Sequence, residues 1–444
     1  MNYKHESAGK RPMWLLYCLA AVAIVLACFA LYRAIGSKPK DNDNVKESDG
    51  TQQEGNQESG KKDDNTDSAK AKETEAIATA DKLAKGYFYD EAIEALKDFE
   101  SDDAKTKVAE YEGLKAALVP YTGQYYHVFF HSLIIDTALA FDNKGNSAEG
   151  YNMWMTTQSE FKKMLPLLLQ NNFVLYDITQ MVELDANGKA QAKAIYLPAG
   201  KKPLVISIDD VDYYDYMKTD GFADRLDVDD KGRVVTVVKD ASGNESITYD
   251  GDVMPILDSF VDEHPEFSFR GAKGIVATTG FAGAFGYRIT DLDKYSEADG
   301  KAMLAKVQKV AQALRSSGWQ ISSHSYTHNQ YWNKLTITMD QMKYDTGRWK
   351  KEIEPYVGNT NIFISPFGVH FDKKDQRFRY LLDEGGFNIY CPVGANMSTT
   401  FVDNEMIQER LDLDGYTMIK HPERVSKYFF DPALVLDSAR PPIN

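Results

Sequence analysis

Two histidines four residues apart, His324 and His328, lie in the run Ser323-His324-Ser325-Tyr326-Thr327-His328. On a helical turn that spacing puts both rings on one face, as a pair of metal ligands requires. A second cluster, Ser207-Ile208-Asp209-Asp210, stops an apolar run on two adjacent carboxylates, and a third, Ser365-Pro366-Phe367-Gly368, follows Ile362–Ile364. Two imidazoles and one carboxylate make a facial set with open positions, suited to zinc, or to cobalt or nickel, and a water. Such an ion lowers the pKa of water from near 16 to about 7, and the second carboxylate is placed to take the proton. That chemistry is hydrolysis. Singly, each cluster has a plainer reading: an Asp-Asp pair commonly caps a helix or lies in a solvated turn. It is their joint position at strand ends that points to a site.

The elements that must position them follow from periodicity. Val128–Ile135, Phe173–Ile178, Leu204–Ile208, Ile275–Thr278, Gln320–Ser322 and Ile362–Ile364 read as strands. Between them, Thr157 and Glu160 form a capping box opening a helix through Phe161, Met164, Leu165 and Leu168. Met303, Val307, Val310 and Leu314 mark a second helix, and Met342, Trp349 and Ile353 a third. Alternation of this kind predicts an α/β domain with parallel strands, whose sites lie at the strands' C-terminal ends. All three polar clusters fall there. The turn-rich segment Asp220–Asp250 reads as a β-hairpin insertion.

At these residues the chain resembles the polysaccharide deacetylases of carbohydrate esterase family 4. Their signature is a Thr-Phe-Asp-Asp strand end, then His-Ser/Thr-x-x-His, then Arg-x-Pro-Tyr-Gly or Tyr-Pro-Phe-Gly. The three clusters match it in order, and Phe130-His131-Ser132 looks like the opening strand of one branch. The resemblance covers about residues 125–425 and implies a distorted (β/α) barrel with fewer than eight regular strands. It implies Asp209 as general base, and Asp210, His324 and His328 as ligands of a divalent ion such as zinc. Hydrolysis of an acetamide or acetyl ester on a glycan is the implied reaction. A family histidine in a late Leu-x-His strand protonates the leaving group, and His421, in Met418-Ile419-Lys420-His421, is the candidate here. Pro366, Phe367, His131 and His370 are the expected substrate contacts.

The chain departs from that pattern in three places. Val211, followed by Asp212-Tyr213-Tyr214, stands where the family usually has glycine. Ile364 occupies the place of an arginine that orients the base in many members. The Asp-Trp that shapes an acetyl pocket has no clear counterpart, Phe387–Pro392 being the nearest. These losses motivate a rival reading, a catalytically weakened glycan-binding protein of the same fold. His127 and His264 read as structural, and core packing is the default for Tyr213, Tyr214, Tyr326 and Trp332.

Before this domain the composition changes. Residues 13–35 begin with twenty uncharged residues, Met13–Tyr32, enough to cross about 30 Å of hydrocarbon. With no convincing cleavage site after them, they read as an uncleaved signal anchor behind a cytoplasmic tail, 1–12. Residues 36–74 are polar and charged and read as a disordered tether. Residues 75–119 read as a short helical, tetratricopeptide-like spacer that packs on its neighbours, and 120–444 as the catalytic domain. A membrane-tethered assembly factor working through that spacer is the third reading. A net charge of −15 excludes a general nucleic-acid binder. Only Cys391 lies in the soluble part, so no disulfide forms within it. Together these features predict a single-pass membrane protein with its catalytic domain outside the cell, acting on an extracellular glycan.

Overall fold

The computed structural model describes residues 63–142, 147–240 and 242–443. The expected tail, the anchor and the first part of the linker lie outside them. Among the described residues no helix is long and apolar enough to cross a membrane. Residues 65–444 form one compact unit.

The sheet has ten strands: β1 Tyr126–Phe130, β2 Phe173–Leu175, β3 Lys202–Ile208, β4 Ile275–Thr278, β5 Gln320–Ser323, β6 Ile362–Ile364, β7 Ile389–Cys391, β8 Thr399–Val402, β9 Glu405–Gln408 and β10 Leu411–Asp412. Their order is β8-β9-β7-β6-β5-β4-β3-β1-β10, with β2 beside the first half of β3. All pairings are parallel except the β8–β9 hairpin. β9 and β10 stand far apart in this order, yet only Glu409 and Arg410 separate them in sequence. A chain that short reaches about 11 Å at most, so the sheet must curl until its two ends nearly meet. The result is a mixed α/β fold with a curled half-barrel sheet, and Arg410 bridges its seam through Arg410 N–H to Pro392 O and Gly394 N–H to Arg410 O.

Helices cover the outer face as their apolar spacing requires. Gln158–Gln170 carries the expected capping box and buries Phe161, Met164, Leu165 and Leu168. Glu297–Ser316 buries Val307, Val310 and Leu314, and Met339–Glu352 buries Met342 and Trp349. The insertion is a three-stranded antiparallel meander, Arg225–Val228, Val234–Lys239 and Glu245–Thr248, where a two-stranded hairpin was expected.

Several boundaries differ from expectation, among them the expected strand Phe173–Ile178, which ends at Leu175 before Ile178 opens a 3-10 turn. The first strand ends at Phe130 rather than Ile135. The helix Asp63–Lys85 begins inside the expected tether, because its Ala, Lys and Glu residues favour helix and its later turns carry the apolar positions Ala76, Ile77, Ala80 and Ala84. That helix, with Tyr89–Ala95 and Asp102–Ala116, is no detached spacer. Tyr87 stacks on Phe269 at 5.1 Å and its hydroxyl donates to Glu266 O, while Arg270 Nη1 lies 3.2 Å from Glu91. Ala80, Ala84, Tyr87, Ala92, Leu96 and Tyr111 share a core with Val174, Ile275, Ile362 and Ile389. The last three are the first residues of β4, β6 and β7, so the helices pack at the end of the sheet opposite the polar clusters.

Candidate metal centre

The C-terminal ends of β3 and β5 bring Asp210, His324 and His328 together, with one ligand atom of each within 4.8 Å of the others. His324 Nε2 lies 4.0 Å from Asp210 Oδ1 and 3.8 Å from Asp209 Oδ2, and His328 Nε2 lies 3.9 Å from Asp210 Oδ2. Bonds of about 2.0–2.2 Å from an ion to imidazole nitrogen or carboxylate oxygen span such gaps.

Two of the three side chains are fixed by hydrogen bonds. His324 Nδ1 is 2.9 Å from the Ile364 carbonyl, which can only accept, so the proton resides on Nδ1 and Nε2 turns its lone pair to the cluster. Burial lowers the His324 pKa against the opposing pull of Asp209 and Asp210, which keeps the ring neutral. Burial alone would raise the Asp210 carboxyl, but His328, His324 and His131, with the Tyr214 hydroxyl donating at 2.7 Å, hold it at about 2. A neutral imidazole and an ionised carboxylate are the forms that bind a divalent ion.

The histidines do not share a helical turn. Residues 324–328 form a bend with Ser325 and His328 at φ 65° and 41°. The buried Asp345 carboxylate takes up the amides of Tyr326 and Thr327 at 2.7 and 2.9 Å and the Thr327 hydroxyl at 2.6 Å. Those bonds replace the helical ladder. Asp210, Tyr213 and Phe367 also have positive φ, at 54°, 50° and 55°. Backbone strain of this kind gathers where geometry is imposed by a site.

Asp209 is buried, and Arg410 grips it with Nη1 at 2.7 Å from Oδ1 and Nη2 at 3.1 Å from Oδ2. The guanidinium is itself fully buried, lying 4.2 Å over the Phe129 ring and donating to Cys391 O and Ser207 Oγ. Ile364 therefore does not leave the carboxylate without an arginine; the guanidinium arrives from the seam between β9 and β10. Sequence reasoning missed it, although Arg410, Asp412 and Asp414 alternate as one side of a strand does.

The other expected residues divide. Phe367 is partly exposed and stacks on His328, with ring centres 4.4 Å apart, while Pro366 is buried. His131, just past β1, lies within electrostatic reach of both Asp210 and Asp414, and its buried Nδ1 has no hydrogen-bond partner among the described residues. Asp412 and Asp414 form a buried pair; burial and mutual repulsion raise Asp412 well above the carboxylate range. His370 is exposed and donates through Nε2 to the Val393 carbonyl at 2.7 Å. His421 is not at a strand end. It joins the helices Gly415–Lys420 and Pro422–Ser426, lies against Tyr416 and is 3.6 Å from Glu423, because Asp414 caps a helix just after β10. Phe387 and Cys391 are fully buried, and Tyr213, Tyr214, Tyr326 and Trp332 are buried in the core as expected. His127 is buried against Ser207 Oγ at 3.0 Å.

Compared with protein-family models, curated proteins and solved structures, the chain matches none.

Proposed function

We propose that the protein is a metal-dependent hydrolase that removes acetyl groups from a cell-surface glycan, with its half-barrel a distorted barrel of the polysaccharide deacetylase type. The observation that carries this reading is the Asp210–His324–His328 cluster with a second carboxylate, Asp209, beside it in an arginine's grip. Asp210, His324 and His328 would hold the ion, zinc or a similar divalent metal. Bound there, it supplies Lewis acidity towards a carbonyl and acidifies water.

The remaining work falls to side chains. Asp209 accepts the proton of the attacking water, and Arg410 fixes the carboxylate's orientation. As the carbon–nitrogen bond breaks, the departing nitrogen needs a proton. His131 is favoured over His421 to give it, since His131 lies within electrostatic reach of Asp210 and Asp414, whereas His421 sits between two short helices against Tyr416. Acetate and a free amine leave. The rival reading, a weakened, binding-only protein, rested on the arginine lost at position 364 and on the missing Asp-Trp; Arg410 answers the first of these. The uncharged run Met13–Tyr32 supports an anchor that leaves the domain outside the cell, facing peptidoglycan or a poly-N-acetylglucosamine.

The test is acetate release from such polymers by the full chain supplied with zinc, beside Asp209→Asn. Release that the variant lowers by about 10²–10⁴, the usual contribution of a general base, supports the reading. No release from any acetylated glycan or small acetyl ester, with zinc, cobalt and nickel all tried, sinks it.

A further inference from the structure

Beside the cluster, two large aromatic side chains stand in solvent: Tyr216 is 59% and Phe281 67% exposed. Exposed aromatic area costs solvation free energy and, when grouped, marks a binding surface. These two are grouped. Both pack on Tyr214, Tyr216 stacked at 5.5 Å and nearly coplanar, Phe281 tilted at 6.1 Å. Tyr214 in turn donates to Asp210, so a single residue joins the aromatic face to the candidate metal centre.

The loops that carry them are fixed. Buried Asp212 accepts from the Thr279 amide and hydroxyl at 3.1 and 2.9 Å, and the Thr279 hydroxyl accepts from the Phe281 amide. Arg288 ties both loops together by donating to Asp212 O and Ala282 O, each at 2.9 Å, and to Tyr213 O. Its remaining donors lie on Asp215. The aromatic face is thus held ready before anything binds, which lowers the cost of binding.

We infer that Tyr216 and Phe281 form a stacking subsite for a neutral pyranose ring next to the sugar held at the cluster. This rests on the hydrolase reading for the position of that first sugar. Pyranose rings present flat C–H faces that pack on aromatic rings, and the Tyr216 hydroxyl adds a polar contact at the rim. Neutrality follows from the surroundings: Arg288 and Lys218, the cations beside this face, are both engaged by Asp215 and are not free to hold an anionic sugar. On the hydrolase reading the occupant is a further ring of the same glycan, so an oligomer is bound more tightly than a single sugar.

The experiment measures binding of N-acetylglucosamine and of its β-1,4 tetramer to the full chain by calorimetry. Three forms are compared: wild type, Tyr216→Ala/Phe281→Ala, and Tyr216→Phe/Phe281→Tyr, which keeps both rings. Two lost stacking contacts are expected to weaken the tetramer by about tenfold, with the ring-keeping variant close to wild type. A tetramer bound no better than the single sugar, or an alanine variant that keeps tetramer affinity, overturns the subsite. So does an equal loss in the ring-keeping variant. Acetate release is scored separately: ring-dependent tetramer binding without release leaves the subsite standing and removes the hydrolase.

Discussion

Arg410 and Asp209 meet as a buried fork, the arginine from the seam of the curled sheet and the aspartate from the end of β3, 201 residues apart in sequence. Breaking one side of such a pair leaves an uncompensated charge in the interior, at a cost of about 3–5 kcal/mol. Arg410→Met is expected to lower unfolding stability by that amount, while Asp209→Leu/Arg410→Met regains most of it. Urea unfolding followed by tryptophan fluorescence reads both. Equal destabilisation by the single and double variants would show that the arginine serves the seam alone.

Most of the sheet was legible because strands buried on both faces leave short apolar runs, such as Ile275–Thr278 and Ile362–Ile364, that periodicity marks directly. The candidate ligand set was legible because its residue types are rare in apolar surroundings. What stayed hidden depended on closure. The seam that delivers Arg410 exists only once the sheet curls, and no local pattern announces which distant carboxylate an arginine will meet. His421 misled for a related reason: β10 is only two residues long, and Asp414 turns the chain into a helix before position 421.

Asp345 holds the bend that presents both histidines, accepting from two backbone amides and the Thr327 hydroxyl. It touches neither His324 nor His328 through a hydrogen bond, so its effect on an ion is one of placement. Asp345→Ala is expected to weaken zinc binding by about 10–100-fold, as losses in the supporting shell of a metal site do. Competition with a chromogenic chelator measures it, beside His324→Ala as the variant that loses the ligand itself. Unchanged affinity in Asp345→Ala would mean the bend holds without its carboxylate.

The helices before residue 119 share a core with the first residues of β4, β6 and β7. A fragment starting at 120 should therefore expose Phe269, Tyr176 and Val174 and be poorly soluble, where a detachable spacer would leave it intact. Tyr87→Ala tests the same contact gently: truncating a buried aromatic that stacks on Phe269 and donates to Glu266 O costs about 3–5 kcal/mol. Denaturant midpoints of the full chain and the variant decide it, and a change under 1 kcal/mol, on the order of a surface substitution, would refute the shared core.

Asp252 provides the pH dependence. Fully buried, it accepts from the Leu133 and Val253 amides at 3.1 and 2.8 Å and from the Tyr213 hydroxyl at 2.5 Å. Burial outweighs those bonds and lifts its pKa from 3.8 to about 6. Between those values the folded chain keeps a proton that the unfolded chain releases, so stability falls as pH rises. The slope is about 1.4 kcal/mol per unit and the total about 3 kcal/mol, fully lost above the folded pKa. Asp252→Asn keeps the Oδ1 acceptor and has no proton to lose, so its stability relative to wild type should rise between pH 4 and 7 and level off above. Parallel urea titrations at pH 4, 5, 6 and 7 give that difference directly. A difference that stays constant across the series would place the Asp252 titration outside this window and leave the burial of its charge without energetic consequence.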